Sequence, residues 1–307
     1  MRRLISRAWT AIIVFACISV CSAFVAQTNP ILDLLAVFAL QAALFLLFAS
    51  LIDGMRGQWL RVAMWVVLSA AGVTLVWPRA QAQTCEEGMT RKRIVFLNLW
   101  IRNPDPVKSI EAILRMNADV VALAELSASS KKAEALLLEH YPYATDCNGA
   151  PECGLRIFSR EPVADLTAKM LGDYVSESAG AVDLNWGKEG ITLIASHLTQ
   201  PWPLRPWGSQ GRQMKAMADG MDRLDRVDLW VGDFNAVTWG AIPYRIKENT
   251  GLAPVQSWGT WPGFLMAYGR IPIDHVFAKR KLGCIAKEVG PDIGSDHRPI
   301  IIDLGVK

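Results

Sequence analysis

The sequence predicts an α/β protein in which apolar transmembrane helices precede one globular domain. Long apolar runs fill the chain up to Trp77, whereas the composition beyond that residue is that of an ordinary globular domain. The hydrophobic share of 51% and the mean hydropathy of +0.21 are high for a soluble protein, and the excess lies in the first part. The remaining segment of about 220 residues is long enough for one large core or a two-sheet sandwich, and short apolar strands recur along it.

Three apolar runs near the N-terminus account for the membrane part. The first covers residues 9–26 and holds no charge, the second covers residues 31–52 with Asp33 near its start, and the third covers residues 60–77. Each approaches the ~20 residues that a helix needs to cross the hydrocarbon core of a bilayer. The predicted division is three transmembrane helices in residues 1–78, a linker in 79–91 and a globular domain in 92–307.

Basic residues set the predicted orientation of these helices. The residues before the first run and between the second and third runs include Arg2, Arg3, Arg7, Arg56 and Arg61. The loop at residues 27–30 has none, so the positive-inside rule places everything after Trp77 outside the cytoplasm. We therefore expect a multi-pass inner-membrane protein with an extracytoplasmic domain. A cleaved signal peptide is the alternative for the first run, but two further runs follow it at once.

The charge distribution bears on the class of partner. Residues 1–79 hold six basic and two acidic residues, a net charge of +4. The 26 basic and 27 acidic residues of the remainder leave it at −1. A domain that holds duplex nucleic acid without sequence preference usually carries a clear basic excess, which this domain lacks.

Cysteine usage fits an oxidising compartment. Two of the six cysteines lie in the first apolar run, which leaves Cys85, Cys147, Cys153 and Cys284. Cys147 and Cys153 bracket a short turn and suit a small disulfide loop, while Cys85 and Cys284 could form a second pair. Four reduced, buried thiols are the alternative, and the spacing fits no zinc site.

Polar side chains recur where the short apolar strands begin or end. Strands are predicted at residues 93–99, 119–126, 154–159, 191–197, 229–235, 273–278 and 300–304, and a helix at 107–116. The polar residues at their ends are Asn98, Glu125, His197, Asp233, Asn235, Asp274, Ser295, Asp296 and His297. Each alone fits an ordinary turn or a solvated strand end. Together, these oxygens and two imidazoles suit a hard cation beside a phosphate ester.

The order of these residues resembles the endonuclease/exonuclease/phosphatase superfamily, and within it a membrane-anchored bacterial branch. The specific motifs are Gly-Asp-Phe-Asn at 232–235 and Gly-Ser-Asp-His-Arg-Pro at 294–299, and the match spans about residues 91–306. The resemblance implies a four-layer α/β/β/α sandwich of two mixed sheets with the site at one rim. It also implies a Mg²⁺-dependent phosphoesterase that uses water as the nucleophile, with Mn²⁺ as the alternative ion.

The resemblance carries metal and histidine roles over to this sequence. Glu125 matches the principal magnesium ligand, which Asn98 and Asp296 help to complete. His297 matches the histidine that activates the attacking water or contacts the phosphate, and Asp274 matches its orienting partner.

Further positions are assigned in the same way. Asp233 and Asn235 match the pair that positions the nucleophile and stabilises the phosphorane, and His197 matches a phosphate ligand or proton donor. Arg156 stands where the family usually has a small apolar residue, and it is either a phosphate clamp or half of a salt bridge. Glu152 is a candidate for the additional Glu that some nuclease members place beside the second histidine.

Three hypotheses describe the substrate. The Trp- and Pro-rich loop at residues 201–207 is either an apolar lip that touches lipid or a stiff turn packed on the sandwich. A short linker to the membrane raises the local concentration of a lipid-borne phosphate. The first hypothesis is therefore hydrolysis of a lipid phosphate or pyrophosphate, such as undecaprenyl pyrophosphate. The alternatives are a periplasmic nuclease acting on DNA and a non-catalytic binding module.

Overall fold

A computed structural model describes residues 2–77, 88–146, 154–172, 178–201, 208–255, 257–279, 282 and 284–307. The chain divides into two units. The first combines residues 1–78 with Ala236–Tyr244, and the second combines Arg79–Asn235 with Arg245–Lys307. All nine polar residues singled out by the sequence belong to the second unit.

The first unit is built mainly from helices. These are α1 (Arg2–Ala23), α2 (Pro30–Ala36), α3 (Ala39–Met55) and α4 (Trp59–Val76). Among the described residues, α4 is the one helix that is long and apolar enough to cross a membrane. The bent pair α2 and α3 adds a second candidate if the two form one span, and α1 contributes the shorter apolar stretch Arg7–Ala23. Length and composition thus support one or two spans, fewer than the three predicted.

The second apolar run is broken rather than continuous. Helix α2 ends at Ala36, and the axis of α3 is bent from it by 56°. A helix end leaves backbone carbonyls without partners inside the helix. The Ala36 carbonyl accepts a hydrogen bond from Trp239 Nε1 at 2.9 Å, and the Asp33 carboxylate accepts from the Ala241 N–H at 3.3 Å. Both contacts lie within the first unit. They provide hydrogen-bond donors to the carbonyl at the end of α2 and to the carboxylate of the charged residue in this run.

The second unit contains two six-stranded mixed sheets. The first sheet holds β1 (Thr90–Asn98), β2 (Val120–Ala124), β3 (Tyr143–Ala144), β4 (Leu155–Ser159), β11 (Ile285–Val289) and β12 (Ile300–Val306). Its spatial order is β11-β12-β1-β2-β4-β3. The second sheet holds β5 (Val163–Asp165), β6 (Ala179–Leu184), β7 (Ile191–His197), β8 (Leu229–Asp233), β9 (Ala253–Pro254) and β10 (Asp274–Ala278). Its order is β5-β6-β7-β8-β10-β9.

The remaining helices are α5 (Pro106–Arg115), α6 (Lys131–His140), α7 (Thr167–Leu171), α8 (Gly208–Met221) and α9 (Ala241–Thr250). Helices α5 and α6 pack on the outer face of the first sheet. Asp105 is a favourable N-cap for α5, because its carboxylate accepts a hydrogen bond from the Lys108 N–H. Pro106, in the first turn, has no N–H that would need a partner. This arrangement confirms the predicted sandwich of two mixed sheets and helices.

Burial on both faces explains why the central strands are apolar throughout. In β1, Ile94 and Phe96 face the second sheet in the same core as Leu193 and Val231. The alternate residues of β1 face the other way, toward α5 and α6. Because successive side chains of a strand point to opposite faces, a strand covered on both sides needs an almost continuous apolar run. The polar residues at the strand ends are therefore exceptions that need another explanation.

Strand direction brings those ends together. β1 and β2 are parallel, as are β7 and β8, so within each sheet the carboxyl ends of the pair lie at one edge. β12 runs antiparallel to β1, and β10 runs antiparallel to β8, with Asp274 paired directly to Asp233. The beginnings of β10 and β12 thus lie beside the ends of the other four strands.

Cys284 is disulfide-bonded, which fits the predicted oxidised cysteines. The other three cysteines of the globular part, Cys85, Cys147 and Cys153, lie outside the described residues. Cys17 and Cys21 in α1 are free thiols.

Candidate active site

His297 and Asp274 form a buried pair at the centre of the polar cluster. His297 Nδ1 lies 2.8 Å from Asp274 Oδ2, which also accepts a hydrogen bond from the Thr260 hydroxyl. A carboxylate only accepts, so the Nδ1 atom carries the proton, and Nε2 is the nitrogen turned toward the other acidic groups. The His297 backbone N–H donates to Ser295 Oγ at 3.0 Å. Contacts of both the imidazole ring and the backbone of His297 therefore fix the position of the ring.

Asp233 lies opposite this pair and is buried. Its Oδ2 atom is 3.7 Å from Nε2 of both His297 and His197, and it accepts from Asn98 Nδ2 at 3.0 Å. Its Oδ1 atom accepts from the Asn235 N–H at 2.8 Å. The carboxylate thus stands between the two histidines, with hydrogen bonds that fix its plane.

The pKa values of this group are strongly shifted. Burial alone lowers the pKa of His297, but the negative charges of Asp274 and Asp233 outweigh it and raise that pKa to about 10. Burial and the charge of Asp274 raise the pKa of Asp233 to about 6, against the lowering effect of the two histidines. Burial also opposes ionisation of Asp274, yet the charge and hydrogen bond of His297 lower its pKa overall. The pair is therefore an imidazolium and a carboxylate, with a second carboxylate that titrates near neutral pH.

Asn98 and Glu125 lie side by side at the ends of β1 and β2. Asn98 Nδ2 donates to Glu125 Oε1 at 2.9 Å, and its Oδ1 accepts from the Trp100 N–H at 2.9 Å. The second oxygen of Glu125 accepts from the Ile101 N–H at 2.9 Å. His197 Nε2 lies 3.7 Å from Glu125 Oε1. Glu125 is thereby oriented toward the same space as His197 and Asn98.

Asp296 adds a fourth carboxylate to the cluster, after Asp274, Asp233 and Glu125. Its Oδ2 accepts from Trp261 Nε1 at 3.2 Å, whereas its Oδ1 is buried and has no hydrogen-bond partner among the described residues. Burial first, and then the charges of Glu125 and Asp274, raise the pKa of Asp296, while His297 and Trp261 act in the opposite direction. A buried carboxylate oxygen without a donor is an unusual and costly arrangement.

The donor set fits a hard divalent cation. Glu125 and Asp296 offer carboxylate oxygens, and the amide oxygen of Asn98 retains a second lone pair beside its bond to Trp100. A cation would satisfy the buried Asp296 oxygen and offset the repulsion that raises its pKa. Ligand atoms of Asp233, Asp274 and His297 also lie within 4.8 Å of one another. That second grouping is less suitable, because the imidazolium would repel the ion.

The loop after β8 is held in a defined conformation. Asn235 Nδ2 donates to the Leu198 carbonyl at 2.8 Å. Gln210 Nε2, from α8, donates to the carbonyls of Phe234 at 2.7 Å and Asn235 at 3.1 Å. The segment after β7 therefore orients the side-chain amide of Asn235, and α8 holds the backbone of the loop.

Three non-glycine residues of the site have left-handed backbones. The φ angles are 66° at Trp100, 55° at Glu125 and 47° at Asn235. Such conformations cost about 1–3 kcal/mol each and persist where the surroundings over-determine them. Here Glu125 and Asn235 each make at least two hydrogen bonds that require the turn.

Several contributors have no signal in the sequence. Gln210, Thr260 and Trp261 lie in unremarkable surroundings of helix and loop, and their roles follow only from tertiary contacts. Ser295 belongs to a recognised motif, and its hydroxyl ties that motif to the end of β1 by donating to the Asn98 carbonyl at 2.6 Å.

The sequence departs from the family pattern at Arg156, and the structure explains this residue. Arg156 lies 3.4 Å from Glu134, donates to the Thr145 carbonyl at 3.0 Å and stacks over the Phe158 ring, so its side chain makes the salt bridge. Glu152 and residues 202–207, which include most of the Trp- and Pro-rich loop, lie outside the described residues.

The model of the endonuclease/exonuclease/phosphatase family matches residues 95–297, about two-thirds of the chain. The chain therefore belongs to the endonuclease/exonuclease/phosphatase family, whose members are hydrolases acting on phosphoester bonds. A search of curated proteins found no match.

Solved structures share the fold at low sequence identity. A β-toxin mutant from Staphylococcus aureus with bound magnesium ions has 16% identity and a TM-score of 0.54, over 71% of this chain and 100% of that one. Sphingomyelinase C from Streptomyces griseocarneus has 16% identity and a TM-score of 0.52, over 71% and 100%. The endonuclease domain of TRAS1, a telomere-specific non-LTR retrotransposon, has 12% identity and a TM-score of 0.53, over 71% and 99%.

Proposed function

We propose that this protein is a metal-dependent phosphoester hydrolase that acts on a lipid phosphate or pyrophosphate at the outer face of the inner membrane. Undecaprenyl pyrophosphate is a representative substrate. The observation that carries the proposal is the buried pair of His297 and Asp274, which stands beside three further carboxylates, Glu125, Asp233 and Asp296. So many carboxylates in one largely buried site require a cation to offset their repulsion. An anionic phosphate can bind there only when that cation is present.

Glu125, Asn98 and Asp296 would hold the cation. The set of oxygens suits Mg²⁺ best, and Mn²⁺ has the same preference for oxygen ligands. When bound, the ion supplies positive charge to the phosphate oxygens and lowers the barrier to attack by a nucleophile. The buried Asp296 Oδ1 atom, which has no hydrogen-bond partner among the described residues, supports this assignment.

The protein side chains divide the remaining work. His297, as an imidazolium fixed by Asp274, offers its Nε2–H to a phosphate oxygen. Asp233 has a pKa of about 6 and is mostly ionised at pH 7, so it can accept a proton from the attacking water, while the Asn235 amide helps to hold the phosphorane. His197, 3.7 Å from both Glu125 and Asp233, is the candidate proton donor to the leaving oxygen.

The choice of a lipid substrate rests on the remainder of the chain. The globular part has a net charge of −1, which disfavours non-specific binding of nucleic acid. Helix α4, together with the bent pair α2 and α3 if the two form one span, gives one or two candidate spans, and these support a membrane anchor in residues 1–78. The disulfide at Cys284 favours an extracytoplasmic location. Sphingomyelinase C, whose name denotes action on a lipid phosphodiester, shares the fold.

A nuclease is the second candidate. The TRAS1 endonuclease domain shares the fold as closely as the sphingomyelinase does, and the same chemistry would cleave a DNA phosphodiester. The charge of the globular part is the observation against it.

Phosphate release by the full chain in Mg²⁺ buffer tests the proposal. Undecaprenyl pyrophosphate in vesicles, short-chain phospholipids and supercoiled plasmid would be compared side by side. Turnover of a lipid substrate without nicking of the plasmid is the expected result. Nicking without lipid turnover would replace the lipid phosphatase with the nuclease.

A further inference from the structure

An exposed apolar tip lies between β9 and β10. It consists of Phe264, Leu265 and Met266, which are 75%, 36% and 85% exposed. No charged residue occurs from Ser257 to Gly269, so no neighbour in sequence makes this segment polar. Consecutive apolar side chains at such exposure are unfavourable in water unless something covers them.

The tip has a defined backbone. At its base the backbones of Trp261 and Ile271 pair through two hydrogen bonds, with N···O distances of 3.3 Å and 2.5 Å. Within it, the Leu265 N–H donates to the Pro262 carbonyl at 3.1 Å, and the Gly269 N–H donates to the Met266 carbonyl at 2.9 Å. The two turns present the apolar side chains outward on a rigid base.

This base is bonded to the candidate active site. The Gly263 N–H donates to the Asp296 carbonyl at 2.6 Å, and the Gly263 carbonyl accepts from Arg298 Nε at 2.7 Å. Trp261 Nε1 donates to the Asp296 carboxylate. Whatever covers the tip is therefore brought next to the residues proposed to hold the metal and the phosphate.

Area decides between a bilayer and a protein partner. Three such side chains expose on the order of 400 Å², whereas a stable protein interface buries about 800 Å² on each partner. Shallow insertion of a few apolar side chains into a bilayer needs no such area. We infer that the tip of Phe264, Leu265 and Met266 inserts into the lipid bilayer surface and presents the site to membrane-borne phosphates; the second clause rests on the proposed function.

Photo-crosslinking tests the insertion directly. The full chain carrying p-benzoylphenylalanine in place of Phe264 would be reconstituted in vesicles of phosphatidylethanolamine and phosphatidylglycerol and irradiated. The matched control carries the same group in place of Tyr143, an exposed aromatic residue on the short strand β3. Mass spectrometry should find lipid adducts at position 264 at several times the yield at position 143. Equal yields would overturn the inference.

A kinetic comparison separates this inference from the proposed function. In the double variant Phe264→Ser, Met266→Ser, the rate on vesicle-borne lipid phosphate, divided by the rate on soluble bis(p-nitrophenyl) phosphate, should fall about tenfold. Tyr143→Ser should leave that ratio unchanged. Adducts at position 264 without turnover of any lipid phosphate would uphold insertion and overturn the proposed function. Lipid turnover with no adducts would overturn insertion alone.

Discussion

His297 Nδ1 and Asp274 Oδ2 lie 2.8 Å apart, and both side chains are buried. The contact joins the loop before β12 in one sheet to the start of β10 in the other. The Thr260 hydroxyl donates to the same carboxylate oxygen, and Lys287 Nζ donates to the Asp274 backbone carbonyl at 3.0 Å, so both the side chain and the backbone of Asp274 are held in place. The orientation of the imidazole is therefore a property of the sandwich as a whole.

Replacing Asp274 tests this orientation. In Asp274→Asn the imidazole loses its anionic partner, and we expect kcat to fall by about 10²–10⁴, the usual contribution of a positioned acid or base. The pKa of His297 should also fall, so the alkaline limb of the pH–rate profile moves to lower pH. Thr260→Val removes a contact to the same carboxylate without removing its charge, and should cause a smaller loss with little movement of that limb. Identical profiles for the two variants would contradict the assigned roles.

The pH dependence of stability follows from the raised pKa of His297. A histidine whose pKa is raised to about 10 in the folded state, above its usual value of 6.5, binds its proton more tightly in that state. The stability so gained is fully present below pH 6.5 and is lost as the pH rises through 10. The difference in Tm between the wild type and His297→Asn should therefore be largest below pH 6.5 and shrink toward pH 10. A constant difference over that range would rule out the tight proton binding.

Ionisation of Asp233 is predicted to raise activity and to lower stability as the pH increases through 6. Its pKa of about 6 means that kcat/KM should decline as the pH falls through 6, where the proton acceptor is lost. Because that pKa is raised in the folded state, stability falls as the pH rises from about 4 to 6 and stays lower above it. Asp233→Asn should accordingly be inactive, yet at least as stable as the wild type at pH 8. Thermal unfolding of both proteins at pH 5 and pH 8 measures this, and a variant much less stable at pH 8 would contradict it.

Gln210 is predicted to position the loop after β8. Gln210→Leu leaves the carbonyls of Phe234 and Asn235 without their donor, at a cost of about 1–3 kcal/mol for a buried unsatisfied group. We expect a lower kcat with little change in KM, because Asn235 is shifted while the metal ligands are not. Lys215→Ala on the exposed face of the same helix is the control. A rise in KM alone would place Gln210 in substrate binding instead.

The sequence predicts the site better than it predicts what supports the site. Asn98, Glu125, His197 and Asp233 could be found because each interrupts or ends an apolar strand, and a strand buried on both faces tolerates polar residues only there. Gln210 could not be found in this way, since a glutamine in an amphipathic helix resembles any solvated residue until its partner is known.

The membrane part shows the limits of composition. The second apolar run contains no Pro or Gly near the break after Ala36, so its hydropathy resembles that of a continuous span. The break is instead accompanied by contacts from Trp239 and Ala241, some two hundred residues later in the chain. No window of local sequence contains that information.

Hydrolysis of vesicle-borne undecaprenyl pyrophosphate by the full chain and by Glu125→Gln tests the central claim most directly. The substitution keeps the shape of the side chain and its hydrogen-bonding reach to Asn98 but removes the charge that a divalent cation requires. Phosphate release that depends on Mg²⁺ in the wild type and falls by at least about 10² in the variant is the predicted result. Equal release by the two proteins would show that this cluster is not the phosphoesterase site.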